Sequence, residues 1–362
     1  MKQFSFLLTL AMLLAGPALA EDPEKITVVT WGGAYEAAQR AAFFKPFKVV
    51  TGVDVDVVAY TGGLEGLRQR VKSGGWDVID MTEDQAIAGC EDELLEHLDP
   101  FAIITPPRKL TLDEDFLPGA FRPCSIAQIV YSTVIAYDER AFPGEKPNHV
   151  SDFFDLDRFP GRRALQRDPS AVLEWALIAE GMPLRQVYDL LSTERGMRVA
   201  FRKLETIRKQ IVWWNDPKEP AEFLRDGKAA MASGFNGRFF AAANDEGAPI
   251  TIVWDAQILD YGVWAIPIGS RRKELAKEFI RFVTSVDRLA ELAEHISYGP
   301  ARLSVLSRIG RHWRSQVPMR DHLPNAPRNN RRSLRRDSQW YARTEALRHR
   351  RFKAWLAGDH AK

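Results

Sequence analysis

The sequence predicts an α/β fold in two lobes, and three features carry that expectation. Short β-rich runs alternate with helical stretches from Ile26 onward, the pattern of a parallel sheet with flanking helices. The chain has 362 residues, more than a single hydrophobic core ordinarily serves. A long β-rich run, Gln128 to Tyr137, stands where it can cross from one lobe to the next.

The first lobe opens with Ile26-Thr27-Val28-Val29-Thr30-Trp31, a β-rich run closed by the turn pair Gly32-Gly33. Ala34 to Val50 has helix composition, with Pro46 expected to kink its end. Val53 to Tyr60 reads as a second strand, Leu64 to Lys72 as a helix and Trp76 to Met81 as a third strand. Beyond the crossing, Arg163 to Gln166 is a strand candidate and Ala171 to Glu180 a helix, with Asp168 or Ser170 as its expected N-cap. Further helices are expected at 183–191, 195–208, 218–226 and 273–285, and strands at 229–236 and 250–254. Gly262 to Ile268 reads as the return to the first lobe. Residues 21–130 with 262–305 then form lobe 1, and 131–261 with 306–362 form lobe 2 and a basic tail.

The N-terminus has the three parts of a secretory signal: a charged start at Lys2, an apolar run from Phe4 to Ala15, and a small-x-small site at Ala18 and Ala20. That run is too short to span a bilayer, which takes roughly 20 residues. Cleavage after Ala20 and export to the periplasm are expected, and no later run suggests a membrane span. In an oxidising compartment the two cysteines, Cys90 and Cys124, are expected to pair, the alternative being two free buried thiols.

Charge is unevenly placed. Residues 21–300 carry 33 Lys and Arg against 44 Asp and Glu, whereas 301–362 carry 16 against 4. An acidic body favours a cationic ligand. The Arg-rich stretch Arg328 to Arg336 is expected to be a solvated basic face, since an exported protein meets little nucleic acid.

No nucleophile elbow, zinc-protease, phosphate-loop or dinucleotide motif is present, and the seven histidines lack metal-ligand spacing. Neither a cofactor nor a metal is expected. What recurs is an aromatic or a carboxylate at predicted strand ends: Trp31, Tyr35, Asp80, Glu83, Asp168, Phe235, Asp260, Tyr261 and Tyr298. Rings contact the methylenes of an alkylammonium ligand and carboxylates pair its charged ends. In open α/β sheets ligands bind beyond the carboxyl ends of strands, so Trp31 to Tyr35, with the free N–H groups around Gly33, and Thr82 to Asp84 are expected to face one another.

Thr30-Trp31-Gly32-Gly33-Ala34-Tyr35, Trp76-Asp77-Val78-Ile79-Asp80, Val130-Tyr131-Ser132-Thr133, Phe235-Asn236-Gly237, Ala265-Ile266-Pro267 and Tyr298-Gly299-Pro300-Ala301 occur in an order and spacing that resemble the periplasmic spermidine/putrescine-binding protein family, over roughly residues 25–310. The resemblance implies a two-lobed type II periplasmic binding protein, each lobe a mostly parallel sheet. It implies hinge crossovers and a ligand held in the cleft for an inner-membrane ABC permease with a cytoplasmic ATPase. It carries ligand-contacting roles to Trp31, Tyr35, Thr82, Asp168, Phe235 and Asn236, with Asp168 the principal charge partner. Two departures stand out: the family's second carboxylate falls on Ala171, and its acidic residue before Ala-Ile-Pro falls near Gly262, so that Glu83 or Asp260 is expected to substitute. The expected protein is a monomeric, non-enzymatic binder of a polyamine, or else of an amino-acid derivative, opine or sugar. An exported hydrolase or lyase would need an acid–base pair that the sequence does not offer.

Overall fold

A computed structural model describes residues 24–358. The signal segment expected at 1–20 lies outside the described residues.

Lobe 1 begins with three parallel strands, β1 (Lys25–Thr30), β2 (Asp54–Ala59) and β3 (Val78–Thr82). β1 lies between the other two, with Ile26 opposite Val55 and Val28 opposite Val78, and its successive residues Val28 and Val29, which face opposite sides of the sheet, are both fully buried, as in a parallel sheet covered on both faces. The helix expected after β1 runs as Gly33–Gln39, a wider turn at Arg40–Phe44, then Lys45–Thr51. The wide turn precedes Pro46 and admits its missing donor without breaking the segment.

Two long strands join the lobes. β4 (Phe121–Arg122) turns back through Cys124 into β5 (Ser125–Asp138), which pairs antiparallel with the 16-residue β9 (Ile250–Ala265) along both lobes. Lobe 2 adds β6 (Arg163–Gln166), β7 (Ile211–Trp214) and β8 (Met231–Phe235), giving the order β2-β1-β3-β9-β5-β8-β6-β7. The short β10 (Gly299–Pro300) and β11 (Ser333–Arg335) attach to β5 and β9.

The two runs expected at 250–254 and 262–268 are thus one strand. Between Val253 and Ile258 β9 bulges away from β5, with Ala256 at φ 54°, and there it finds other partners. Ala256 N–H donates to Arg332 O, and Gln257 to Leu259 pair with β11 of the C-terminal segment. That segment continues as a 19-residue helix, Ser338–Leu356, whose Trp340, Tyr341, Phe352 and Trp355 belong to the lobe 2 core. The expectation of a solvated basic face holds for Arg328, Arg331 and Arg332, which are exposed, and fails for Arg336, whose side chain is only 13% exposed. It fails because β11 pairs into the sheet and carries Arg336 inward.

Cys90, near the end of the Glu83–Glu91 helix, is bonded to Cys124, their Cα atoms 5.7 Å apart, which ties that helix to the start of β5. The helix after β6 spans Val172–Ala179, and neither Asp168 nor Ser170 caps it. Ala171 is the N-cap at φ 67°, with its N–H donating to the Tyr341 hydroxyl, while Asp168 Oδ1 accepts from Ser170 N–H.

Candidate functional site

A cleft with about 460 Å³ of empty space opens beyond the ends of β1, β3 and β8, where the lobes meet. Five aromatic side chains line it, Trp31, Tyr35, Tyr131, Phe235 and Tyr298, and Met81, Thr82, Ile129, Pro217 and Gly262 complete the lining around Asp80 and Arg238. The rings brace one another edge to face, Tyr35 on Tyr298 at 5.2 Å, Tyr131 on Phe235 at 5.7 Å and Trp31 on Tyr60 at 4.7 Å between centroids.

Asp80 is the buried charge of the cleft. Its Oδ2 accepts hydrogen bonds from Tyr35 Oη at 2.8 Å, Gln39 Nε2 at 2.7 Å and Gln128 Nε2 at 2.9 Å. Its Oδ1 is buried without a hydrogen-bond partner, 3.7 Å from where a side chain at Gly262 would begin. The family's acidic residue before Ala-Ile-Pro, absent in this sequence, falls near Gly262. A Cβ there would lie 2.7 Å from Ile129 Cγ1, so Ile129 fills the room beside Gly262 and that position offers Asp80 Oδ1 no side-chain donor. Burial pushes the Asp80 carboxyl up to about 7, against the polar hydrogens of Tyr35, Gln39, Gln128 and Trp31 that favour its charge.

The opposite charge comes from the other lobe. Arg238 stands near the start of the Asn236–Asn244 helix, with its guanidinium lining the cleft and Nη2 donating to the carbonyls of Trp31 and Gly32, both at 3.3 Å. Gly33 permits the approach: at φ 62°, a Cβ there would lie 2.6 Å from Arg238 Nη1. Gly237 does the same for Tyr298, whose Cε1 would be 2.4 Å from a Cβ.

The structure therefore gathers Trp31, Tyr35, Thr82, Phe235 and Tyr298 around the cleft and sends other predicted residues elsewhere. Asn236 braces the lobe junction, its Oδ1 accepting from Ser132 N–H and its Nδ2 donating to Ser297 O. Glu83 is paired with Arg122 at 2.7 Å and accepts from Ser338 Oγ. Asp260 accepts from Tyr131 Oη at 2.9 Å and Tyr261 Oη donates to Pro118 O; both line a separate cavity with about 560 Å³ of empty space behind the hinge strands. Asp168 faces His349 of the C-terminal helix at 3.6 Å and does not line the cleft. Sequence reasoning passed over Arg238, Tyr131 and Ile129. Arg238 had a signal, since it directly follows the Phe235-Asn236-Gly237 motif that places a helix start at the cleft.

Among the described residues, the His, Cys and carboxylate grouping compact enough for a metal ion is Cys90, His97 and Cys124, whose two sulfurs are bonded to each other. No helix among those residues is long and apolar enough to cross a membrane.

Comparison with known proteins places this architecture. Residues 42–315 match the sequence profile of the bacterial extracellular solute-binding proteins. A relative from Pseudomonas aeruginosa, named a gamma-aminobutyric acid-binding protein, is 33% identical over 357 residues, 98% of this chain and 97% of its own. An ABC transporter substrate-binding protein from Bradyrhizobium japonicum superposes with a TM-score of 0.80 at 30% identity, covering 92% of this chain and 99% of that one. A solved GABA receptor gives a TM-score of 0.77 at 26% identity, covering 94% and 98%. Similarity of this extent, on a two-lobed frame with the cleft at the strand ends, makes the chain a member of the bacterial extracellular solute-binding proteins, the substrate-binding components of ABC transporters.

Proposed function

We propose that the cleft captures a small zwitterion, an ammonium and a carboxylate separated by a short methylene chain as in a γ-amino acid, for delivery to an inner-membrane permease driven by a cytoplasmic ATPase. The observation that carries this reading is the pair of opposite charges brought to one aromatic cavity by different lobes, Asp80 with its unpartnered Oδ1 and Arg238 with its guanidinium. The ammonium is taken by Asp80 and the carboxylate by Arg238, whose planar fork suits that group. Trp31, Tyr35, Tyr131, Phe235 and Tyr298 hold the methylenes, and Thr82, whose hydroxyl oxygen is buried without a partner, is a further polar contact.

The names of the two relatives that bind GABA support this choice over a polyamine. So does the chemistry: a diamine brings a second ammonium into a cavity that already holds a guanidinium, and the like charges repel. The protein acts in the periplasm, reached through the segment ending at Ala20, as a monomer with Cys90 and Cys124 oxidised.

Calorimetry with GABA, putrescine and butyrate tests the reading. GABA is expected to bind, with each one-charge-type control weaker by roughly 30-fold or more, because leaving one partner of a buried pair unmatched costs ~2–5 kcal/mol. Putrescine binding as tightly as GABA would restore the polyamine reading.

A further inference from the structure

The C-terminal segment reaches the cleft through a chain of polar contacts that the binding reading does not use. Arg336, just after β11, lies with its guanidinium over the Tyr341 ring at 3.5 Å. Its Nη2 donates to Asp84 Oδ2 at 2.9 Å, on the lobe 1 helix Glu83–Glu91, and its Nε is 3.4 Å from Asp260 Oδ2, on the hinge strand β9. The same Asp260 oxygen accepts from Tyr131 Oη at 2.9 Å, and the Tyr131 ring is a wall of the ligand cavity. Asp260 Oδ1 is occupied by Tyr261 N–H at 2.8 Å, so the carboxylate is fixed at both oxygens. Alongside, Ser338 Oγ donates to Glu83 Oε2 at 2.7 Å, a second tie from the tail to the same helix.

We propose that Arg336 is a positioning residue for the binding cleft: from the C-terminal segment it aligns Asp260, which holds Tyr131 in place as a cavity wall, and it clamps this hinge assembly to lobe 1 through Asp84. The proposal rests on the cleft being the ligand site. Its geometry explains why a largely buried arginine is stationed away from the cavity. Nη2 donates to the helix of one lobe, while Nε, which makes no hydrogen bond, faces the hinge-strand carboxylate at ion-pair distance, so one guanidinium addresses both by charge. Three carboxylates, Glu83, Asp84 and Asp260, converge here, and Arg122 engages Glu83, which leaves Arg336 as the cation facing the other two.

A double-mutant cycle on the full chain tests this, with GABA as the probe in calorimetry and thermal unfolding recorded for every variant. Arg336→Gln is expected to weaken binding by about tenfold, Tyr131→Phe by a similar factor, and the double variant by no more than either alone, because both break one chain of contacts. Arg336→Lys, which keeps the charge and loses the fork, is expected to fold and to fall between wild type and Arg336→Gln. A purely structural arginine would instead lower the melting temperature and give effects that multiply in the double variant; that outcome, or unchanged affinity in Arg336→Gln, overturns the proposal. A ligand-independent arm separates it from the zwitterion reading. In a crystal structure of unliganded Arg336→Gln, or of Arg336→Lys if the first does not fold, the Tyr131 hydroxyl is expected to leave Asp260. An unmoved Tyr131 overturns the proposal whatever the ligand proves to be.

Discussion

Asp80 shows how one carboxylate can be both buried and available. Three donors hold Oδ2, while Oδ1 lies beside Gly262, buried without a hydrogen-bond partner. Its elevation to about 7 has opposite consequences for stability and for binding. In the unfolded chain the group ionises near pH 4, so the ligand-free protein draws a contribution from neutral Asp80 that is complete below that pH and is lost as pH rises through about 7. Capture of an ammonium needs the carboxylate, so affinity is expected to rise by about tenfold per pH unit below about 7 and to level off above it. Calorimetry between pH 5.5 and 8.5 checks this, and Asp80→Asn should bind at least tenfold more weakly with the slope much reduced; a flat wild-type profile would remove Asp80 as the ammonium partner. Gly33 carries a second prediction at this scale. A methyl group there adds the left-handed backbone strain of a non-glycine residue, ~1–2 kcal/mol, and displaces Arg238, so Gly33→Ala is expected to weaken GABA binding by about tenfold. Equal affinity would mean that Arg238 does not meet the ligand from its present place.

Among the elements, the C-terminal segment departs furthest from what a run of basic residues suggests. β11 pairs with the bulged stretch of β9, and the following helix contributes Trp340, Tyr341, Phe352 and Trp355 to the lobe 2 core while packing on the Glu83–Glu91 helix of lobe 1. Loss of a single buried aromatic typically costs ~3–5 kcal/mol, and marginal stability leaves little reserve against losing four. A chain ending at Asp337 is therefore expected to unfold cooperatively at a melting temperature well below that of wild type, or to fail to fold; unchanged thermal unfolding would contradict the placement of this helix. The cysteine bridge acts on a different element, fixing the Glu83–Glu91 helix to the start of β5. Closing a loop of that length is worth ~3–4 kcal/mol by chain entropy. Reduction, or Cys90→Ser with Cys124→Ser, is expected to lower unfolding free energy by about that amount, measured by denaturant titration.

At the scale of the molecule, two lobes share one sheet through β5 and β9, and each lobe supplies one charge to the cleft. A ligand that joins Asp80 to Arg238 binds better when both are in reach, and so favours closure by its differential affinity for that state. Small-angle scattering is expected to show a smaller radius of gyration with saturating GABA, and Arg238→Gln is expected to reduce that change. No change in wild type would argue that capture occurs without lobe movement.

The α/β class, the first three strands to within a residue or two, β6 to the residue and most of the aromatic wall were legible in the sequence, because β-rich runs, glycine turns and strand-end positions are local signals. Asp80 was visible as a strand-end carboxylate, but its role was not. Whether a carboxylate faces a ligand depends on which oxygen its neighbours leave unpaired, and Tyr35, Gln39, Gln128 and Gly262 come together only in three dimensions. For the same reason Asp168, although it follows a strand as expected, faces His349 instead of the cleft. Only the tertiary structure put Arg238 against Gly33 and carried Arg336 from a basic tail into a carboxylate cluster. Both outcomes depend on contacts between residues more than 70 positions apart, and no local pattern encodes such contacts.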